Sequence, residues 1–326
     1  SLEKVDNGTD STTALSNNSS RIGFKGVEKI GGGLSAILSV EWGLAGLVDG
    51  GGSAVLGNRN QFVGLTGGFG TLLAGRHDTP VKLISRRYDM WGDTIGDTAQ
   101  FTGIADGGAP FEQRTANTIA YVSPKIAGGL TLTLAHVLDH DIAGCNAASN
   151  SPFPTGDDND CSASSASLVW DKGMFNAAVG YETHSIDTPG AKDETMLRAG
   201  LGLKFKPARV NLFYQQSEDT GFAANDGRTV MGVGIGVKLG KGELKGQYYV
   251  ADDFDNQANT GATMYNIGYD YPLSKMASVY ALYHAVNNDS GARLGMNHPA
   301  HGDKSGVPTA VNQDPNAIAV GMRVRF

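Results

Sequence analysis

The sequence predicts an all-β fold, a sixteen-stranded antiparallel transmembrane β-barrel with one inward-folded loop that carries a short helix. Three observations predict it. Apolar and polar residues alternate along most of the chain, and residues two apart share one face of a strand. In the clearest runs large aliphatic residues are opposed by glycine: Met231, Val233, Ile235, Val237 and Leu239 alternate with Gly232, Gly234, Gly236 and Lys238. The alternation then stops for about 35 residues, over 78–112. An insert of that length in a compact domain is uncommon, and is usually either functional or disordered.

The glycine pattern decides how the strands face. In a soluble sandwich the apolar face points to the core and Lys, Thr and Glu cover the other. Here the second face is small, with sparse Arg and Lys. Sixteen strands with their apolar faces inward would enclose more volume than Leu and Val can fill. Turned outward, they form a lipid-facing belt around a polar lumen. Closure also removes sheet edges, which lipid does not tolerate. Aromatics gather near strand ends, at Trp42, Tyr121, Tyr181, Tyr269, Tyr271, Tyr280 and Tyr283, as interfacial girdles do.

Composition agrees. The 326 residues include 46 glycines with no period of three, so the chain is not collagen-like. A net charge of −7 argues against a nucleic-acid partner. Mean hydropathy is −0.21. No apolar run approaches the ~20 residues of a membrane helix. Alternating strands average out on such scales, so these values do not count against a barrel. One domain over 1–326 is expected.

Residues 1–5 read as the end of a strand, as in a mature chain whose first ordered residues are missing, and 6–18 as a polar loop. SSRIGFKG sets Ile22 and Phe24 against Arg21, Gly23 and Lys25. It turns at 29–33 into GLSAILSVEW. After the loop 43–58, RNQFVGLTG and FGTLLAGRH form a hairpin around Gly67 and Gly68. Beyond the insert come RTANTIAYVSP and GLTLTLAHVLD, then SASLVWDKG and MFNAAVGYETH. MLRAGLGLKFK turns at Pro207 into ARVNLFYQQSE. RTVMGVGIGVKLG, GELKGQYYVAD, MYNIGYDYPL, KMASVYALYHAV and NAIAVGMRVRF complete the count. Short turns and long loops alternate between them.

The insert has apolar surface to pack, in Tyr88, Met90, Trp91, Phe101 and Phe111. It also carries Asp89, Asp93, Asp97, Asp106 and Glu112 beside Lys82, Arg86 and Arg87. Asp78 and Pro80 suit a helix start, and Val81, Ile84, Tyr88 and Trp91 fall on one helical face. The expectation is a helix pressing that face on the inner wall, with an acidic rim at Asp89, Asp93 and Asp97. Cys145 and Cys161 bracket a polar loop at 140–163; a disulfide there would imply an oxidising compartment, and two free thiols are the alternative. No Ser-His-Asp, phosphate-loop or HExxH pattern occurs, and neither a cofactor nor a metal is expected.

Phe326 closes an alternating strand at the chain terminus, which resembles the outer-membrane assembly signal of Gram-negative barrels. SSRIGFKGVEKIGGGLSAILSVEW, RNQFVGLTGGFGTLLAGRHDTP and RTANTIAYVSP are similar to three stretches of the trimeric general porins of beta-proteobacteria, the Neisseria and Comamonas type. That family opens with a longer first strand. The resemblance implies a homotrimer in the Gram-negative outer membrane, with short periplasmic turns and long extracellular loops. Lipid and lipopolysaccharide would surround it, the barrel-assembly machinery would read Phe326, and the loop 43–58 would latch a neighbouring subunit. The loop 78–112 would be the constriction, facing a basic wall at Arg21, Lys25, Arg59, Arg76 and Arg114.

Strand parity agrees for Arg21 and Lys25, and for Arg114, which alternates in phase with Ala116, Thr118 and Ala120. Parity for Arg59 and Arg76 also turns Val63, Leu65 and Leu72 inward, which requires the insert's apolar residues to pack on that wall. The bland alternative is a set of ordinary lumen arginines paired with loop carboxylates. The expected function is passive diffusion of small hydrophilic solutes and ions, with weak anion preference. A barrel acting as adhesin, receptor or enzyme, and a soluble secreted β protein, are the competing expectations.

Overall fold

The computed structural model describes residues 1–44, 59–103, 111–138, 161–186, 190, 192–219, 227–298, 301–302 and 309–326. Its strands are β1 (Leu2–Asp6), β2 (Ser11–Leu15), β3 (Arg21–Gly31), β4 (Leu34–Gly43), β5 (Gln61–Gly67) and β6 (Gly70–Asp78) before the insert. After it come β7 (Arg114–Val122), β8 (Leu130–Val137), β9 (Cys161–Lys172), β10 (Phe175–Ile186), β11 (Glu194–Phe205) and β12 (Ala208–Glu218). Next are β13 (Arg228–Leu239), β14 (Gly242–Ala251), β15 (Ala262–Pro272) and β16 (Ala277–Asn288). A small separate hairpin, β17 (Asn297–His298) and β18 (His301–Gly302), precedes β19 (Asn316–Val324).

From β3 to β16 each strand pairs antiparallel with its neighbours in sequence. β16 pairs with β19, β19 with β1, and β1 with β2. The wall holds seventeen segments where sixteen strands are expected. The additional one is β2, inside the stretch expected as a polar loop. Its Ser11-Thr-Thr-Ala-Leu15 run is short but β-prone, and it pairs in register with β1 from Leu2↔Leu15 to Asp6↔Ser11. Asn7 Oδ1 closes the turn between them by accepting from Thr9 N and Asp10 N at 2.9 and 2.7 Å. β2 and β3 are successive pieces of one wall strand. Between them Leu44 N, just past β4, donates to Ser20 O at 2.8 Å, which extends the β3–β4 ladder back towards the end of β2.

The outward face is apolar. Ile22, Phe24, Leu38, Leu201, Ile235, Ile318 and Met322 all stand exposed on it. The inward face carries the buried polar residues, among them Ser165, Asn176, Arg198, Asn211, Gln215, Lys245, Gln247 and Asn266. A belt of this kind is stable only against lipid.

The insert folds inward as α1 (Pro80–Tyr88) and α2 (Ala99–Thr102). Thr79 rather than Asp78 caps α1, its hydroxyl accepting from Lys82 N at 3.3 Å, and Pro80 fills the first turn, where its missing N–H costs nothing. Ile84, Tyr88, Met90 and Trp91 are almost fully buried. Their seats explain the glycine-rich inner face. A β-carbon added to Gly180 of β10 would lie 2.7 Å from Ile84 Cδ1, and one on Gly234 of β13 2.8 Å from Met90 Cγ. One on Gly268 of β15 would lie 2.7 Å from Trp91 Cη2, and one on Gly200 of β11 2.0 Å from Tyr88 Cε2. Each aliphatic or aromatic side chain buried this way is worth about 1.5–3 kcal/mol.

Wall amides finish the seat. Asn211 Nδ2 donates to Tyr88 O at 3.0 Å, Gln247 Oε1 accepts from Met90 N at 2.9 Å, and Gln247 and Asn266 both donate to Gly96 O at 2.9 Å. These bonds satisfy backbone groups that burial would otherwise leave unpaired. The insert therefore lies on the wall of β9–β16. The expected packing against β5 and β6 does not occur. Val63, Leu65 and Leu72 face outward and are exposed.

Candidate functional site

The insert's charged side faces the other half of the wall, β3–β7. Asp93 has φ 58°, a left-handed conformation that Asp tolerates better than most residues. Its two oxygens receive different arginines: Arg86 Nη2 at 3.2 Å on Oδ1, and Arg21 Nη1 of β3 at 3.2 Å on Oδ2. Arg21 Nε also lies 3.7 Å from Glu41 Oε2 of β4, and Arg59 Nε donates to Glu41 Oε1. The result is a chain of alternating charge, Arg86–Asp93–Arg21–Glu41–Arg59, with a cation at each end. Lys25 shares the face of Arg21 four residues on and is exposed.

A second group closes the neck of the insert. Asp78, ending β6, pairs with Lys82 at 2.9 Å and with Arg114, opening β7, at 3.0 Å. Asn60 bridges them, accepting from Arg114 Nε at 2.7 Å and donating to Asp78 Oδ2 at 3.1 Å. The two groups together set Arg21, Arg59, Lys82, Arg86 and Arg114 against Glu41, Asp78 and Asp93.

Other expected residues sit elsewhere. Asp89 does not face the arginines. Its carboxylate turns into the insert and accepts from Trp91 N at 2.7 Å and Thr98 N at 3.1 Å, because the backbone donors left beyond α1 claim it first. Burial and the neighbouring Asp97 carboxylate push its pKa up to about 8. Asp97 accepts from Ala99 N and Asp93 N, both at 2.9 Å, and so shapes the turn that presents Asp93. Glu112 is buried and pairs with Arg198 of β11 at 2.7 Å rather than with the basic wall. Arg87 reaches Asp171, by the turn between β9 and β10.

The parity difficulty at Arg59 and Arg76 has two causes. Arg59 precedes β5, so strand alternation does not bind it. Arg76 lies in a β-bulge, where the β6–β7 register shifts between Gly75 and His77. Phe326 stands fully exposed just past β19. Asp106, Cys145, the side chain of Cys161 and most of the loop 43–58 lie outside the described residues.

An outward apolar belt, a polar lumen and a charged insert folded along one wall together describe a channel. The sequence matches the family model of the Gram-negative porins over residues 1–291. The chain belongs to that family.

As a porin it is a passive channel of the Gram-negative outer membrane. Three solved structures with this fold show how far sequence drifts within it. The anion-selective porin from Comamonas acidovorans superposes with TM-score 0.81 at 23% identity, over 100% of this chain and 96% of that one. The trimer form of in-vitro folded OmpT, an outer-membrane protein of Vibrio cholerae, gives 0.66 at 16%, over 99% and 96%. Salmonella typhi OmpF in complex with daunomycin gives 0.67 at 15%, over 99% and 94%. No curated protein matches the chain by sequence.

Glu41, Lys245 and Asp270 of this porin escaped the sequence reading; Arg323 did not, since it sits opposite the apolar face of NAIAVGMRVRF. Glu41 was legible in principle: it is the one carboxylate in LSAILSVEW and shares the face of Ser35 and Ser39. A further cluster joins Lys245 and Arg323 to Asp270 at 3.1 and 3.3 Å. Lys245 Nζ also lies 3.9 Å over the Trp91 ring, and Arg323 donates to Gly92 O at 3.1 Å, so these cations also grip the tip of the insert.

Proposed function

We propose that residues 78–112 form the constriction of this porin, and that the pore passes small hydrophilic solutes and ions with a weak preference for anions. The carrying observation is the Arg86–Asp93–Arg21–Glu41–Arg59 chain, which ends in a cation at both sides. Guanidinium groups on the wall facing a carboxylate on the insert set up a transverse field. Polar solutes align in such a field, and an excess of positive charge at the narrowest point favours anions. Arginine keeps that charge at every physiological pH. The similar Comamonas acidovorans porin, itself anion-selective, supports the reading.

A homotrimer is the assembly we infer, supported by the trimer form of the Vibrio cholerae protein. In it the loop 43–58 would latch the next subunit, Phe326 would serve assembly, and lipid and lipopolysaccharide would meet the apolar belt. The zero-current potential across a planar bilayer in a KCl gradient tests the selectivity. A sign favouring Cl⁻ is expected, and a sign favouring K⁺ would overturn it.

A further inference from the structure

Arg198 is a fully buried arginine on the lumen face of β11. Burial of a guanidinium is costly unless every donor is met. Here each of the three nitrogens has a partner, supplied by three separate parts of the insert and one wall amide. Nε donates to Gln215 Oε1 at 2.7 Å. Nη1 reaches Glu112 Oε1 at 2.7 Å, and Val81 O and Phe111 O at 3.3 Å each. Nη2 donates to Thr102 O at 2.6 Å. Val81 is in the first turn of α1, Thr102 ends α2, and Phe111 and Glu112 are where the insert returns to the wall. One side chain thus touches the entry, the middle and the exit of the insert.

The exit is held from a second side. The Phe111 ring stacks on His184 of β10, centroids 4.2 Å apart and planes 13° apart. Both His184 nitrogens face carboxylates, Glu182 at 2.9 Å and Glu194 at 3.1 Å. A carboxylate oxygen at each ring nitrogen fixes the plane in which the imidazole lies. Glu112 is also held by Thr102 Oγ1 at 3.0 Å, which joins the exit to the end of α2.

We propose that Arg198 is the positioning residue of the pore: its ion pair with Glu112 holds both legs of the insert as one unit, and so sets where the charged tip stands in the lumen. This rests on the reading of 78–112 as the constriction. Neutralising Glu112 leaves the guanidinium buried and uncompensated; neutralising Arg198 leaves the carboxylate so and also takes the shared donor from the three carbonyls. The tip, tied to the opposite wall by the half-exposed Arg21–Asp93 pair, would then fluctuate.

The test uses the full chain folded in detergent and in bilayers, with variants Glu112→Gln, Arg198→Lys and Arg198→Gln. Peptide-resolved hydrogen exchange reads the anchor directly. In Glu112→Gln, exchange is expected to quicken by about tenfold or more in 80–88, which the substitution does not touch, as well as in 99–103, which it touches through the Thr102 hydroxyl. In bilayers the same variant is expected to show excess open-channel noise and closure at lower voltage. Arg198→Lys, which keeps the charge but not the fork, should fall between wild type and Arg198→Gln. Exchange that changes only beside residue 112 and its direct partner Thr102, or not at all, would overturn the proposal even where Arg198→Gln fails to fold. Quickened exchange in both legs with unaltered single-channel currents would uphold the anchor and overturn the constriction reading instead.

Discussion

The two sides of the insert hold it by different physics. On one side Ile84, Tyr88, Met90 and Trp91, all almost fully buried, drop into Gly180, Gly200, Gly234 and Gly268, four glycines on four strands. On the other a single carboxylate, Asp93, meets Arg21 across the lumen through side chains 21% and 34% exposed. Burial on the seated side is worth several kcal/mol in sum, whereas an exposed ion pair is worth about 0–1 kcal/mol. Seat and bridge are therefore separable. In the proposed constriction the seat fixes where the insert stands, and the bridge sets the field that a solute crosses.

Placing a side chain in the seat should have the largest effect. Gly200→Val would put branched carbons where the Tyr88 ring lies, at a cost of about 1–3 kcal/mol, and should push α1 off the wall. A changed single-channel conductance in a barrel that still folds is the expected result. Conductance and selectivity unaltered would mean that the seat does not position the insert.

Breaking the bridge should leave the fold intact. Asp93→Asn removes one of the three acids and releases Arg21 and Arg86. The anion-to-cation permeability ratio should rise roughly twofold while thermal stability stays within about 1 kcal/mol of wild type. A large loss of stability would show that the bridge, and not the seat, holds the insert.

The contrast also explains what was legible in the sequence. Alternation revealed the wall, since each strand carries its own record of inside and outside. The glycine face was visible, but its use was not: a seat exists only relative to the side chains that fill it. Arg59 and Arg76 misled because parity ends at a strand end and slips at a bulge, and Gly75 in the sequence is one glycine among many. Asp89 and Glu112 were assigned to the rim by charge alone. Backbone donors and the buried Arg198 claimed them first, and such pairings depend on contacts far apart in the chain.

The smallest expected effect comes from Asp89. Its raised pKa means that the folded insert keeps a proton there that an exposed carboxyl would release near pH 4. The stabilisation is fully present below that value and is lost as pH rises through about 8. Ionisation also adds a negative charge behind Asp93. Anion preference should therefore decline modestly between pH 7 and pH 9 on the ~1-unit scale of a single titration, and Asp89→Asn should remove the decline. A pH-independent zero-current potential would place that proton elsewhere.

The central claim is that an insert seated on the glycine wall narrows this pore without supporting the barrel. Its most direct test is the single-channel conductance of a variant in which 80–111 is replaced by a short Gly-Ser link, with folding checked by heat-modifiable electrophoretic mobility. The account predicts a folded barrel with higher conductance and reduced ion selectivity. A folded barrel whose conductance does not rise would contradict it.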